Sequence, residues 1–200
     1  MNPLVHMIDT GASPQDMADY LDSLRHKERL RITMELPPRA QARLFAKVQD
    51  AFELDLNHFV PEDTEDLTEV IHWGRNTLPA FRRFQKRFCR PTAAQRGDNT
   101  DPHLWGYNAN PPLVLGAVGP GYFVARHGAD DTPVWIDYLL TPPDKVPHWP
   151  AIKPKTYRLS RFVYHGTIDR MRKVSEHVSI GAAFRGTKAI GAHFVLCREP

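Results

Sequence analysis

The hydrophobic positions of the first fifty residues recur at helical spacing. Met17, Leu21 and Leu24 fall on one face of a helix over residues 14–25, which begins with a serine cap and a proline. A pair of prolines then ends a second helix and begins a third, because proline tolerates the first turn of a helix but not its interior. The pattern predicts a helical N-terminal unit over residues 1–55.

The pattern changes after the acidic stretch at residues 62–69, which is typical of an exposed connection. Short runs of aromatic and β-branched residues, such as PVWIDYLL and AIGAHFVLC, then alternate with glycines and prolines. Such runs are typical of antiparallel strands that close into a barrel or a sandwich. The final two runs flank residues 185–188 and predict a terminal hairpin. The expected fold class is therefore α+β, with N-terminal helices packed on a curved antiparallel β-sheet or a β-barrel over residues 67–199.

Three glycines, Gly116, Gly119 and Gly121, follow the apolar run LVL within the second unit. A dinucleotide-binding loop has the order G-x-G-x-x-G between a strand and a helix. Here the order is G-x-x-G-x-G, and the residues that follow, YFVA, favour a strand. The glycines therefore indicate a bulge or a corner in a sheet rather than a phosphate cradle.

A chain of 200 residues with 24% charged and 42% hydrophobic residues is ordinary for a globular protein. Its formal net charge of +3 is too small for a protein that wraps nucleic acid. Cys89 and Cys197 lie far apart without metal-binding spacing, which fits two buried thiols in a reducing compartment. The chain shows no signal-peptide pattern and no apolar stretch long enough to span a membrane, so we expect a cytoplasmic protein.

The sequence contains none of the short motifs that mark common hydrolases, zinc sites, nucleotide-binding loops or calcium loops. Its ten histidines are scattered along the chain rather than set at the spacing of metal ligands. We therefore expect neither a metal nor a cofactor. Any chemistry has to come from polar side chains within the strand-forming runs.

The run PVWIDYLL places a carboxylate inside an otherwise apolar strand. Asp137 shares one face with Trp135 and Leu139, and Tyr138 lies on the opposite face. Burying an unpaired carboxylate is costly and raises its pKa toward values suited to proton transfer. The alternative is that an arginine or backbone N–H groups hold Asp137 in a purely structural role.

The run FVYHGTIDRMRKVSEHVSIG gathers further polar groups. Tyr164 and His177 can form hydrogen bonds to a ligand, and Asp169 can orient a histidine or bind an arginine such as Arg172. The alternative is that Asp169 begins a short helix whose apolar residues pack inward. The candidate ligand-binding residues are Asp137, Tyr138, Tyr164, Asp169, Arg172 and His177.

Residues 75–96 combine basic and aromatic side chains, and no acidic residue interrupts them. Surfaces that bind nucleic acids and other anionic polymers use these residue types together. The alternative is that the aromatic side chains point into the core while the basic ones form a solvated outer face. The basic residues of this segment are Arg75, Arg82, Arg83, Lys86, Arg87, Arg90 and Arg96.

Near the C-terminus, an Asp-containing turn leads into a glycine-bearing strand and a final strand that ends in Leu-x-Arg. The positions are Asp169, Arg172, Gly181, Leu196 and Arg198. This pattern resembles the C-terminal part of lipocalin-like GXWXG-type domains of unknown function, although the G-x-W-x-G signature itself is absent. The resemblance implies a calycin-like barrel whose interior holds a small apolar molecule, and it carries over no catalytic residue.

Three functional hypotheses follow from these features. The first is a binding module for a small apolar or amphipathic ligand, held in a barrel cavity of several hundred Å³. The alternative is an acid/base enzyme of the isomerase or lyase type that uses the same cavity, with Asp137 or His177 as the base. The third is binding of an anionic polymer, which requires all seven basic side chains of residues 75–96 on one exposed face. The expected partner is a small molecule rather than a nucleic acid.

Overall fold

In a computed structural model, eight antiparallel strands form a closed barrel in which each strand pairs with the next and the last pairs with the first. The structure describes residues 2–80, 82–96, 101–110, 119–128, 134–153 and 166–200. The predicted fold class, α+β with N-terminal helices packed on an antiparallel barrel, is confirmed. The strands are β1 Val70–Asn76, β2 Arg83–Cys89, β3 His103–Ala109, β4 Tyr122–His127, β5 Val134–Asp137, β6 Ile168–Lys173, β7 Val178–Arg185 and β8 Lys188–Arg198.

Four helices precede the barrel, and side-chain caps define where two of them begin. The Asn2 side chain accepts a hydrogen bond from the Val5 backbone N–H at 3.2 Å, and Ser13 forms a capping box with Asp16. The sequence pattern predicts the last three of these helices but not the first. Their bounds are α1 Pro3–Thr10, α2 Pro14–Ser23, α3 His26–Met34 and α4 Pro38–Lys47, and a fifth helix, α5 Ala93–Arg96, follows β2.

The N-terminal helices bury their apolar faces on the outer surface of β7, β8 and β1. Leu21 and Leu44 are fully buried there in one cluster with Val178, Ile180 and Val195. Burying a leucine side chain stabilises a protein by about 2 kcal/mol, so this packing is enough to attach the helices firmly. The side of the barrel that they cover is therefore closed to solvent.

The side chains that alternate with these outward-facing residues fill the inside of the barrel. Phe88, Phe123, Ile136, Met171 and Leu196 form part of a second buried cluster, and each of them is fully buried. Successive side chains of a strand point to opposite faces, so a closed sheet sends every second residue inward. The interior at this level is packed with side chains.

The two ends of the barrel differ in how they are closed. Alternate connections of an up-and-down barrel lie at the same end, and we call the end that carries the connections after β1, β3, β5 and β7 the hairpin end. At the opposite, plugged end, residues 54–60 close the barrel. The Phe59 ring lies there with its centroid 5.1 Å from that of Phe88 and 5.7 Å from that of His72.

The C-terminal strands settle two expectations from the sequence. The terminal hairpin is confirmed, because β7 and β8 pair as neighbours and Arg185 lies opposite Lys188. The short helix considered for Asp169 is wrong, because this residue lies within β6 and pairs with Ile136 of β5. The strand pairs on both sides of β6 hold it extended.

The glycines considered above precede a strand, as their order indicates. Gly119 and Gly121 adopt φ angles of 78° and 54°, which glycine reaches without the steric cost that a side chain adds. β4 begins directly afterwards at Tyr122. Gly116 lies outside the described residues. The expectation that these glycines lead into a strand rather than into a helix is therefore confirmed, whereas the bulge or corner stays a prediction, because the run before Gly119 lies outside the described residues.

Candidate functional site

A buried lysine lies inside the barrel toward its hairpin end. Lys86 is on the inward face of β2 between Phe84 and Phe88, and it is only 2% exposed. Its Nζ donates to Oδ1 of Asn108 at 2.9 Å and to the hydroxyl of Tyr138, and it lies 3.3 Å from Oδ2 of Asp169. An ammonium group has three N–H donors, so these three oxygens match its full hydrogen-bonding capacity.

Two pairs of neighbouring strands, β2 with β3 and β5 with β6, bring these four side chains together across the barrel interior. Asn108 lies directly opposite Lys86 in the β2–β3 register, Tyr138 directly follows β5, and Asp169 lies on the inward face of β6. The Asn108 side-chain amide also donates to the Tyr138 hydroxyl at 3.0 Å. We call Lys86, Asn108, Tyr138 and Asp169 the interior polar cluster.

Aromatic rings surround the ammonium end of Lys86. Its Nζ lies 4.8 Å from the ring centroid of Phe194, 5.0 Å from those of Phe123 and Tyr138, and 5.7 Å from that of Phe84. At such distances a positive charge is attracted to the faces of aromatic rings. The wall of the interior polar cluster is therefore apolar but favourable to a cation.

Three of these rings are seated against glycines on a neighbouring strand. A Cβ atom added to any of the three glycines would lie less than 3.0 Å from the facing ring, which no packed structure tolerates. The glycines therefore make the space that the rings occupy. The pairs are Gly74 with Phe84, Gly106 with Phe123, and Gly181 with Phe194.

Burial perturbs both charged members of the interior polar cluster. It lowers the pKa of Lys86, and the nearby Asp169 carboxylate opposes that shift. Burial likewise raises the pKa of Asp169, against the opposing effects of Lys86 and of a hydrogen bond with Tyr138. Burial therefore acts on both groups in the direction of a neutral amine beside a neutral carboxyl. A proton can move between them with no change in net charge.

Of the six candidate residues from the sequence, Tyr138 and Asp169 belong to this cluster, whereas Asp137 does not. Asp137 faces the outside of the barrel, where its Oδ2 accepts from Nη2 and Nε of Arg126 at 2.8 and 3.2 Å. Its Oδ1 accepts from the Leu139 backbone N–H at 2.8 Å. The structural role considered for Asp137 fits this geometry, and the role of a base in the barrel interior does not.

Arg172 and His177 also lie away from the cluster. Arg172 is on the outer face of β6, where its guanidinium lies 4.0 Å from the ring centroid of Phe45 and donates to the Phe45 carbonyl at 2.6 Å. His177 is near the plugged end, with its Nδ1 3.3 Å from Nη2 of Arg198. Tyr164 lies outside the described residues.

The structure shows a cavity of about 760 Å³, but it lies outside the barrel. Residues 48–55 form one side of it, and Arg172 and Lys173 of β6 form the other. The lining combines acidic and basic side chains, which differs from the apolar interior expected for a barrel cavity. Arg172 therefore faces a different part of the surface from the interior polar cluster.

The basic residues of segment 75–96 do not share one exposed face. Lys86 points into the barrel, Arg87 donates to Glu69 at 2.8 Å, and Arg90 donates to three backbone carbonyls of the chain before β1. Arg82 and Arg83 are exposed. The alternation of the strand sends the basic side chains of this segment to different faces. Binding of an anionic polymer required all seven on one exposed face, and this requirement is not met.

Sequence reasoning missed Lys86 and Asn108 as site residues, although the strand pattern contained a signal for both. In FRRFQKRFC, Lys86 has the same alternation as Phe84 and Phe88 and so belongs to the apolar face. Asn108 shares its alternation with the buried Leu104. A single polar residue on the apolar face of a strand was the clue to both.

Three further observations on the described residues concern metal binding, the cysteine thiols and membrane spans. No group of three or more histidine, cysteine, aspartate or glutamate side chains is placed to hold a metal ion within the described ranges. Cys89 and Cys197 are buried free thiols, as expected, and burial raises the pKa of Cys89 to about 12. Among the helices in the described part of the chain, none has the length and apolarity needed to cross a bilayer.

Comparison with known proteins adds no relative to this picture. No family model, no curated protein and no solved structure matches the chain. The functional argument therefore rests on the geometry of the interior polar cluster.

Proposed function

We propose that this protein binds a small amphipathic molecule inside the hairpin end of its barrel. The polar group of that molecule contacts Lys86 and Tyr138, and its carbon skeleton packs on the phenylalanine rings around Lys86. The observation that carries the proposal is the buried Lys86–Asp169 pair, which lies in an interior otherwise filled by apolar side chains. The lipocalin-like resemblance of the C-terminal strands supports the same function.

Stability alone does not account for a buried ion pair at this position. Replacing such a pair by apolar residues of similar volume is often neutral or stabilising, because desolvation of the two charges offsets their attraction. Titratable groups that burial perturbs, and that lie at the end of a barrel, are typical of binding sites. Lys86 and Asp169 have both properties.

The hydrogen bonds of the cluster indicate which polar group fits. Asp169 already balances the charge of Lys86, so an uncharged oxygen, such as that of a carbonyl or hydroxyl group, fits better than a strong anion. This oxygen can replace Asn108 or Tyr138 as an acceptor of a Lys86 N–H without leaving the ammonium unpaired. The ligand class is therefore a neutral amphipathic molecule.

The test combines extraction with titration. An organic extract of the purified protein is analysed by mass spectrometry, and the extracted protein is titrated with 1-aminoanthracene, a neutral amphipathic fluorophore. The double variant Lys86→Met with Asp169→Asn removes both charges together, so neither group is left buried without its partner. Lys27→Met is the matched control, because Lys27 is an exposed lysine on α3.

We expect the native protein and the Lys27→Met control to bind one equivalent of the fluorophore. The double variant should bind about tenfold more weakly, as lost hydrogen bonds to a charged group predict. Equal affinity in a folded double variant would place binding elsewhere. An empty extract together with no saturable fluorescence change would contradict the proposal.

A second candidate function, acid/base or covalent chemistry on a carbonyl compound, is favoured by one observation. The neutral form of the Lys86–Asp169 pair has a lone pair on Nζ and a protonated carboxyl group, and Oδ2 of that group lies 3.3 Å from Nζ. Such an amine attacks a carbonyl carbon to give an imine, and the carbonyl oxygen leaves as water after protonation. Asp169 is placed to supply that proton.

Reductive trapping tests this second candidate. The protein is incubated with benzaldehyde and cyanoborohydride at neutral pH, and the modified lysines are identified by peptide mapping. Cyanoborohydride supplies the hydride that converts an imine to a stable secondary amine. The hypothesis predicts that Lys86 is modified faster than the exposed Lys27, whereas modification that simply follows exposure would contradict it.

A further inference from the structure

The exposed large hydrophobic side chains of the described residues all lie at the hairpin end. Leu78 is in the connection between β1 and β2, Leu139 and Leu140 follow β5, and Ile190 is near the start of β8. Each is between 43% and 50% exposed. Single exposed apolar residues are common on protein surfaces, but here four of them share one end of the barrel.

Exposed basic residues lie on the same connections. Arg82 precedes β2 and Arg83 begins it, and Arg185 and Lys188 flank the turn between β7 and β8. The described residues of these two connections and of the chain directly after β5, at 77–80, 82–83, 138–141 and 185–190, include no aspartate or glutamate. We call the four apolar and four basic side chains the hairpin-end rim.

The opposite end of the molecule has the opposite charge. Residues 62–69, which contain five acidic residues, lead directly into the first residue of β1 and so lie at the plugged end. Glu62, Asp63, Glu65 and Asp66 are exposed there. This acidic segment and the basic residues of the hairpin-end rim therefore lie at opposite ends of the barrel, and an anionic surface attracts the rim and repels the acidic segment.

From this arrangement we propose that the hairpin-end rim docks on the surface of a bilayer that contains anionic lipid. Leucine and isoleucine side chains insert among lipid acyl chains at an interface, and arginine and lysine contact the headgroups above them. Each basic residue near an anionic leaflet strengthens such binding. The rim carries both kinds of side chain side by side.

The composition of the rim favours a bilayer over a nucleic acid. Proteins that bind single-stranded nucleic acids place aromatic side chains among basic ones so that bases stack on them. The exposed apolar side chains of the rim are aliphatic, and they have no favourable contact to make with phosphates or sugars. The docking surface also differs from the interior polar cluster, so it stands independently of the proposed ligand.

Vesicle co-sedimentation tests the proposal with the full chain. Vesicles of phosphatidylcholine alone are compared with vesicles that also contain phosphatidylglycerol, at low and at high salt. One variant, Leu139→Ser with Leu140→Ser, removes apolar side chains, and a second, Arg82→Gln with Arg83→Gln, removes two charges. The matched control, Arg25→Gln with Lys27→Gln, removes two exposed charges from the helical side of the molecule.

We expect binding that requires phosphatidylglycerol and weakens as salt screens the charges. Both rim variants should bind about tenfold more weakly, whereas the control should bind as the native protein does. Equal binding to both kinds of vesicle, or equal loss in the control, would overturn the proposal. So would binding to a DNA oligonucleotide that depends on the arginine pair but not on the leucine pair. Unchanged thermal unfolding of each variant confirms that the effect is local.

Discussion

The plugged end and the hairpin end of this barrel close the same sheet with different chemistry. At the plugged end, Phe59 packs against Phe88 and His72, and all three side chains are fully buried. At the hairpin end, the Lys86–Asp169 pair occupies the equivalent interior space. Apolar packing needs no specific partner, whereas a buried charge needs all of its partners in place. Under the proposed function, the plugged end serves stability and the hairpin end holds the ligand.

Titratable groups behave differently at the two ends as well. His72 and His58 are fully buried at the plugged end, and burial holds the pKa of each well below its ordinary value. Neither ring nitrogen of His58 has a hydrogen-bond partner among the described residues. Lys86 and Asp169 instead compensate each other. A change in pH should therefore act first on the plugged end.

The largest expected effect comes from removing the apolar plug. Phe59→Ala should lower the free energy of unfolding by about 4 kcal/mol, because it deletes a fully buried ring and leaves a cavity. Urea unfolding followed by tryptophan fluorescence measures the change. Leu78→Ala, which truncates an exposed residue, should change the free energy by less than about 0.5 kcal/mol. A loss below about 1 kcal/mol in Phe59→Ala would show that residues 54–60 do not hold the barrel closed.

A smaller effect is expected from breaking the ion pair at the hairpin end. Lys86→Met should lower the free energy of unfolding by about 3 kcal/mol, because the Asp169 carboxylate then stays buried without its cationic partner. Adding Asp169→Asn should recover most of that loss, because the second variant removes the unpaired charge. If the double variant does not recover the free energy of unfolding, Lys86 contributes packing rather than charge. The contrast between apolar packing at the plugged end and an ion pair at the hairpin end would then be wrong.

The sequence predicted the fold better than it predicted the site. Strand alternation and turn residues predict a curved antiparallel sheet or a barrel, but they do not decide whether the sheet closes. The site depends on which face of each strand turns inward, and closure of the barrel decides this. In PVWIDYLL, the face that carries Tyr138 turned inward and placed Asp137 outside against Arg126. A strand with apolar residues on both faces does not reveal this choice.

The sequence also did not predict the pairing of Lys86 with Asp169. The two residues lie on β2 and β6, which are not neighbours in the sheet, and they meet only across the barrel interior. Lys86 lies in a run of arginines, and this run suggested a charged surface. Its alternation with Phe84 and Phe88 was the stronger indicator, because period-two spacing reports the direction of a side chain and local charge density does not.

The third prediction concerns acid and the plugged end. The pKa of His72 is lowered from its ordinary 6.5 to about 3, so between these values the unfolded chain binds more protons than the native one. His72 should therefore make stability fall as the pH drops below about 6.5, and its share is about 2 kcal/mol at pH 5. His72→Gln, which can still donate to the Phe59 carbonyl, should remove that share in urea unfolding at each pH, whereas the lowered pKa of His58 keeps the rest of the dependence.

His6→Gln is the control for that measurement, because His6 is exposed on α1 and its substitution should leave the dependence on pH unchanged. The double variant of Lys86 and Asp169 should also retain the native dependence between pH 6.5 and pH 5. The contrary result is a pH dependence of stability that is lost in the double variant of Lys86 and Asp169 and kept in His72→Gln. It would place the acid-sensitive groups at the hairpin end.

The smallest expected effect comes from changing Asp137. This prediction distinguishes Asp137, on the outer face of β5, from Asp169, on the inner face of the neighbouring β6. Asp137→Asn should lower the free energy of unfolding by about 1 kcal/mol, because the amide still accepts from the Leu139 N–H while the charge-assisted bonds from Arg126 weaken. Affinity for 1-aminoanthracene should stay at the native value, because Asp137 points away from the interior polar cluster. A loss of affinity without a loss of stability would show that the outer face of β5 takes part in binding, and the division between an inner functional face and an outer structural face would then be wrong.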